Sequence, residues 1–171
     1  MKGQILFAGC FVLVMAANTS AQTKITGSLT CNKPEPVYSI EVGDRPGHTM
    51  VLEKVPCSYT KPMEINGDKA KDGASIVSID LTSTRMVSTG THVATMESGD
   101  QTFAAIRDTS TVKDGKPADT NGTWSYTGGT GKYRGLKGKG TYKASRNEDG
   151  TIAVEVEGEY QLAAAKASTK K

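Results

Sequence analysis

Histidine and tryptophan are scarce in this chain of 171 residues, and long apolar runs are missing from most of it. The two histidines, His48 and His92, stand far apart with no ligand-spaced partner, so the spacing gives no metal site. No serine sits in a Gly-x-Ser-x-Gly elbow, which sets that nucleophile arrangement aside. Beyond Ala17 no segment is apolar enough to cross a bilayer, so no membrane-spanning helix is predicted. Helical periodicity is absent over the same stretch. The net charge of +3 is also thinner than it looks, because Lys2, Lys166, Lys170 and Lys171 lie at the ends. Between Gln22 and Ala165, 17 basic residues face 18 acidic ones, and a net charge of −1 gives no reason to expect nucleic acid.

The apolar run that does exist is at the start. Lys2 precedes thirteen residues from Ile5 to Ala17, and Thr19-Ser20-Ala21 supplies small residues for a peptidase. That pattern predicts a cleaved export signal over residues 1–21 and a secreted or periplasmic mature chain from Gln22. Cys10 leaves with the signal. Cys31 and Cys57 remain, and an even pair in an oxidising compartment predicts one disulfide. The competing reading, a metal or redox pair, has 25 intervening residues and no nearby histidine pattern to support it.

Residues 22–163 read as one all-β domain, followed by a small, basic, disordered tail over 164–171. Strand-like segments run over Lys24 to Cys31, Val37 to Val42, His48 to Val55, Ala74 to Val87, Thr91 to Glu97 and Gln101 to Val112. Three more cover Asp119 to Tyr126, Lys139 to Ser145 and Ile152 to Leu162. The last shows the clearest alternation. Ile152, Val154, Val156, Tyr160 and Leu162 share one face, and Glu155, Glu157, Glu159 and Gln161 the other. So many short strands in one domain predict a sandwich or a closed barrel.

Between Thr127 and Gly140 lies the glycine-rich stretch "TGGTGKYRGLKGKG". A phosphate loop would need glycine where Tyr126 stands and Ser or Thr where Tyr133 stands. A dinucleotide turn would need glycine at Arg134, and no amphipathic helix follows to present its N-terminus. The glycines therefore serve the backbone, at a turn that needs positive φ or close approach. No cofactor is predicted.

Extended to "GGTGKYRGLKGKGTYK", the stretch resembles the Gly-Gly-Ser/Thr-Gly-x-Phe/Tyr signature of the allene oxide cyclase and dirigent barrel superfamily. The resemblance implies a single eight-stranded antiparallel β-barrel, here an exported bacterial-type member. In it Gly128, Gly129 and Gly131 would shape the turn and Tyr133 would plug one end. It also implies a central pocket for a small apolar ligand, and such barrels often form homo-oligomers. The signature is a scaffold element and transfers no catalytic residue.

Candidate chemistry comes from the strands. Asp80 lies in a β-rich segment where Val77, Ile79 and Leu81 alternate with Ser78, Asp80 and Thr82. If the second set lined a lumen, Asp80 would be a desolvated carboxylate suited to acid or base work; otherwise it faces water. Arg107 shares a face with Phe103 and Ala105, and it would either bind a ligand carboxylate inside or pair with a glutamate outside. Phe103, Trp124 and Tyr126 complete the expected ligand-binding set, and Glu53 is a further candidate. Lys132, Arg134, Lys137, Lys139 and Lys143 could hold a polyanion, but the Glu-rich last strand would neutralise much of that patch. The expected activity is binding of a small hydrophobic or amphipathic molecule. An isomerase or cyclase, with Asp80 or Arg107 assisting, and a non-catalytic envelope module are the alternatives.

Overall fold

The computed structural model describes residues 22–163. The expected export signal over 1–21, with Cys10 inside it, and the expected basic tail over 164–171 lie outside the described residues. Apart from one 3-10 turn at Gly131–Tyr133, every regular element described is a strand. In chain order these are β1 (Thr23–Cys31), β2 (Val37–Glu41), β3 (Thr49–Lys61), β4 (Glu64–Ile65), β5 (Asp68–Leu81) and β6 (Arg85–Met96). They continue with β7 (Gln101–Lys113), β8 (Lys116–Pro117), β9 (Thr120–Gly129), β10 (Lys137–Arg146) and β11 (Ile152–Gln161).

Eight of them close into an antiparallel ring in the order β1-β3-β5-β6-β7-β9-β10-β11 and back to β1. The eight-stranded barrel expected from the glycine signature is therefore the fold. Short β2, β4 and β8 attach to β3, β5 and β7. No helix among the described residues is long and apolar enough to cross a membrane.

Several boundaries differ from the sequence expectation, with β3 running on to Lys61 and β5 starting at Asp68, and one difference changes the topology. The run from Ala74 to Val87 reads as one strand because β-branched residues continue through it. It is in fact a hairpin, turning after Leu81 between β5 and β6. The turn uses a threonine instead of glycine: the Thr82 amide donates to the Arg85 carbonyl at 2.8 Å, and the Arg85 amide returns a bond to Thr82 Oγ1 at 3.1 Å.

Alternation places one row of each strand inside. On β5 the inner row is Ser75, Val77 and Ile79; on β7 it includes Thr102, Ala104, Asp108, Ser110 and Val112. On β10 and β11 the inner wall holds glycines, with Gly140 directly opposite Gly158. A Cβ on Gly140 would lie 2.7 Å from the Trp124 indole nitrogen, so these glycines make room for the ring. The indole N–H then donates to the Glu157 carbonyl at 3.2 Å.

One end of the barrel is sealed. Tyr133 is fully buried and packs with Ile65, Met96, Leu136 and Tyr160. Gly128 and Gly131 take φ of +140° and +47° to bring it there. A Cβ on Gly129 would lie 2.6 Å from Tyr133 Cβ, so that glycine allows the close approach. The Tyr133 hydroxyl donates to Asp68 Oδ2 at 2.7 Å, and Asp68 also accepts from Ser98 Oγ at 2.6 Å and pairs with Lys132 Nζ at 2.9 Å. Burying a ring of this size contributes on the order of 2–3 kcal/mol, which a satisfied hydroxyl preserves.

The ring closes where β1 meets β3. Cys31 and Cys57 face each other across that pairing and form the disulfide, over a sequence separation of 26.

Candidate functional site

Above the Tyr133 plug the interior is hollow. An inner chamber of about 120 Å³ is walled by apolar side chains, among them Leu29, Ile106, Trp124, Val154 and Val156. It adjoins a vestibule of about 290 Å³ toward the opposite end, bordered by Val51, Leu81, Met86 and Pro117. Cys31, Ser75, Tyr142 and Val154 line both spaces. Together they reach the size range of small-molecule sites, about 300–1,000 Å³.

Two groups of polar side chains converge on this space. In the chamber, His92 on β6 stands between Ser75 on β5 and Tyr59 on β3. Its Nδ1 is 2.9 Å from Ser75 Oγ and its Nε2 is 3.2 Å from the Tyr59 hydroxyl. Burial pushes the imidazole down to about 4, so it is neutral at ordinary pH and offers one donor and one acceptor. Burial also raises the Tyr59 phenol above its usual value.

The second group lies higher. Asp108 is buried on β7, and the Tyr142 hydroxyl of β10 donates to its Oδ2 at 2.5 Å. Burial and that bond both raise the Tyr142 phenol. Asp108 Oδ1 has no hydrogen-bond partner among the described residues. Glu53 lines the same vestibule. Burial raises its carboxyl above the ordinary value, Arg146 opposes the rise, and Asp108 adds to it. Such groups are suited to hold a polar ligand head or to move a proton.

Trp124 and Tyr126 line the inner chamber, with ring centroids 4.9 Å apart in an edge-to-face arrangement. The other expected ligand-binding residues are placed elsewhere. Asp80 is on the outer wall, half-exposed, with its Oδ1 3.2 Å from His48 Nε2. The other nitrogen of His48 is 2.5 Å from Asp44 Oδ1. Phe103 and Arg107 occupy the outer row of β7, since their neighbours Thr102, Ala104 and Asp108 take the inner row. None of Asp80, Phe103 or Arg107 borders the chamber or the vestibule.

His48 and His92 are likewise separated, one outside and one inside. Among the described residues no cluster of His, Cys, Asp and Glu could hold a metal. On the basic patch, Lys139 stands opposite Glu159 and Lys143 opposite Glu155 across β10 and β11.

Reasoning from the sequence did not single out Tyr59, Ser75 or Asp108, and it gave neither Tyr142 nor His92 a place in the interior site. The signal for Asp108 is the alternate row Thr102, Ala104, Ile106, Asp108, Ser110 and Val112. It is small and apolar enough to face inward, and it carries one carboxylate.

No protein-family model matches the chain, and no curated protein matches it in sequence. Among the solved structures similar to this chain are two dirigent proteins. The pterocarpan synthase dirigent protein GePTS1 is 14% identical with a TM-score of 0.50, over 91% of this chain and 98% of that one. The pterocarpan synthase dirigent protein PsPTS1 is 15% identical with a TM-score of 0.49, over 85% of this chain and 97% of that one. At 14% identity the likeness to GePTS1 is one of fold: the chain has a dirigent-type barrel, in line with the resemblance carried by its glycine signature.

Proposed function

We propose that this protein is exported and binds a small hydrophobic or amphipathic molecule inside its barrel. The observation that carries the reading is a hollow interior with apolar walls and two converging polar groups, His92 with Tyr59 and Ser75, and Asp108 with Tyr142. A barrel serving only as an envelope module has no need of that space. The Cys31–Cys57 disulfide supports export, because such bonds persist in oxidising compartments.

Trp124 is the single tryptophan of the chain and borders the chamber, so it reports occupancy directly. A neutral hydrophobic fluorophore, N-phenyl-1-naphthylamine, is expected to accept energy from Trp124 and to saturate at one probe per chain. Filling the chamber with Ala104→Phe is expected to abolish the transfer. Uptake that is absent, or that persists unchanged in Ala104→Phe, would sink the interior-binding reading.

A second reading, an isomerase or cyclase, is favoured by one observation: groups able to accept or give protons sit in the cavity itself. GePTS1 is named as a pterocarpan synthase, which is in keeping with chemistry in a barrel of this kind. On that reading Asp108, Tyr142 and Glu53 act in place of Asp80 and Arg107.

A further inference from the structure

We propose that the molecule bound in the barrel carries a protonated amine, held in the vestibule by Asp108 and Glu53 while its apolar body extends down toward Trp124. The proposal rests on the interior-binding reading above and names the chemical class of that ligand.

Asp108 is the first reason. It is only 9% exposed, it borders the vestibule, and its Oδ2 is occupied by the Tyr142 hydroxyl. Its Oδ1 is a buried acceptor with no donor among the described residues. A buried acceptor without a partner is costly, so a donor brought by the ligand gains more here than at a satisfied site.

Charge decides which donor. Glu53 lines the same space; burial raises its carboxyl, Arg146 opposes the rise, and the neighbouring Asp108 adds to it. Among the residues lining the vestibule the one cation is Arg146. It is exposed at the rim, and its Nη1 donates to the Gly150 carbonyl at 3.1 Å. Two carboxylates against one exposed guanidinium at the rim leave the charged side chains of the vestibule with an excess of acid.

An anionic head would meet that field with the wrong sign. A neutral hydroxyl would satisfy Asp108 Oδ1 but leave the carboxylates repelling each other. An ammonium has three donors and a unit positive charge, so it can bridge Asp108 and Glu53 with charge-assisted bonds. Below it, Leu29, Ile106 and Val156 offer only apolar contact. The site therefore suits a compact apolar body ending in an amine.

The test displaces N-phenyl-1-naphthylamine, read by energy transfer from Trp124, with three compounds that share one apolar body: 2-phenylethylamine, 2-phenylethanol and phenylacetate. The amine is expected to displace the probe at a concentration at least about tenfold lower than the alcohol, with phenylacetate the weakest. Glu53→Gln and Asp108→Asn should each bring amine and alcohol to within about twofold of each other. Unchanged thermal unfolding would show that both variants keep the fold. If the alcohol matches the amine, or if the amine's advantage survives both variants, the amine assignment is overturned. The bound probe would then leave interior binding intact. No probe uptake, together with no heat on direct calorimetric titration of the amine, overturns both.

Discussion

Reducing the Cys31–Cys57 bridge is expected to loosen the barrel first at the seam where it closes. β1 meets β3 only from Ser28 opposite Lys61 to Cys31 opposite Cys57, with a register shift inside that span. By contrast β5 and β6 stay paired from Ala70 opposite Met96 to Leu81 opposite Met86. The bridge closes a loop with a sequence separation of 26, which on the chain-entropy relation stabilises the fold by about 3.5 kcal/mol. Against the 5–15 kcal/mol typical of whole domains, that is a large share. With a urea dependence of about 2 kcal/mol per molar, the unfolding midpoint should fall by about 1.7 M. The melting temperature should fall by about 7–14 °C. The assay compares oxidised protein with protein held reduced by a phosphine, following Trp124 fluorescence through urea unfolding and counting thiols in parallel. Hydrogen exchange adds the location: β1 and the end of β3 should lose protection before β5 and β6. An unchanged midpoint with both thiols titrated would refute the reasoning, as would uniform loss of protection around the ring.

Tyr133→Phe keeps the ring in the plug and removes one donor to Asp68, so it should cost about 1.5–3 kcal/mol, read as a lower melting temperature. No loss would mean that Ser98 and Lys132 alone satisfy the carboxylate. Acid should destabilise the protein in two steps. Burial lowers His92 to about 4 from an unfolded value of about 6.5, so its contribution is present above pH 6.5 and is lost as pH falls toward 4. Burial pushes the Asp68 carboxyl up, but hydrogen bonds from Ser98, Tyr133 and Lys132 outweigh it and hold the group well below the usual carboxylate range. Its contribution is therefore lost only as pH falls below about 4. Melting curves against pH should lose the upper step in His92→Gln and the lower step in Asp68→Asn; variants that keep both would disprove the assignment. Gly140→Ala would set a methyl group against the Gly158 backbone and the Trp124 indole, costing about 1–3 kcal/mol and shifting Trp124 emission. An unshifted emission would show that the glycines do not shape the indole's place.

The barrel was legible in the sequence because two strong local signals agreed. The alternation of Ile152, Val154 and Val156 with Glu155 and Glu157 matches the inner and outer rows of β11. The glycine stretch, stripped of any phosphate reading, leads to a buried aromatic, Tyr133. The site was less legible because interior polarity defeats hydrophobicity as a guide to facing. On β7 the outer row holds Phe103 and Ala105, while the inner row holds Thr102, Asp108 and Ser110. Following the one aromatic, Phe103, thus picks the wrong side, although Ala104, Ile106 and Val112 mark the inner row. Asp80 shows the converse: its partners Val77 and Ile79 are buried, so alternation alone sends it to the outer wall. The pairing of Asp108 with Tyr142 joins residues 34 apart in the chain, and only the β7-β9-β10 order brings them together.

Because Tyr133 and Leu136 seal one end, the barrel is a cup and not a conduit. Whatever enters must leave through the same doorway, between Leu81, Pro117 and Arg146. On the proposed binding reading, traffic would be one molecule at a time, and an occupant would block its own successor. On that reading, orientation would be imposed on arrival, since a molecule would descend apolar end first for its polar head to stop beside Glu53 and Asp108. A tail longer than the cup is deep would project into solvent, within reach of a second protein or an enzyme that never enters the barrel. If chemistry occurs within, product and substrate would compete for that doorway.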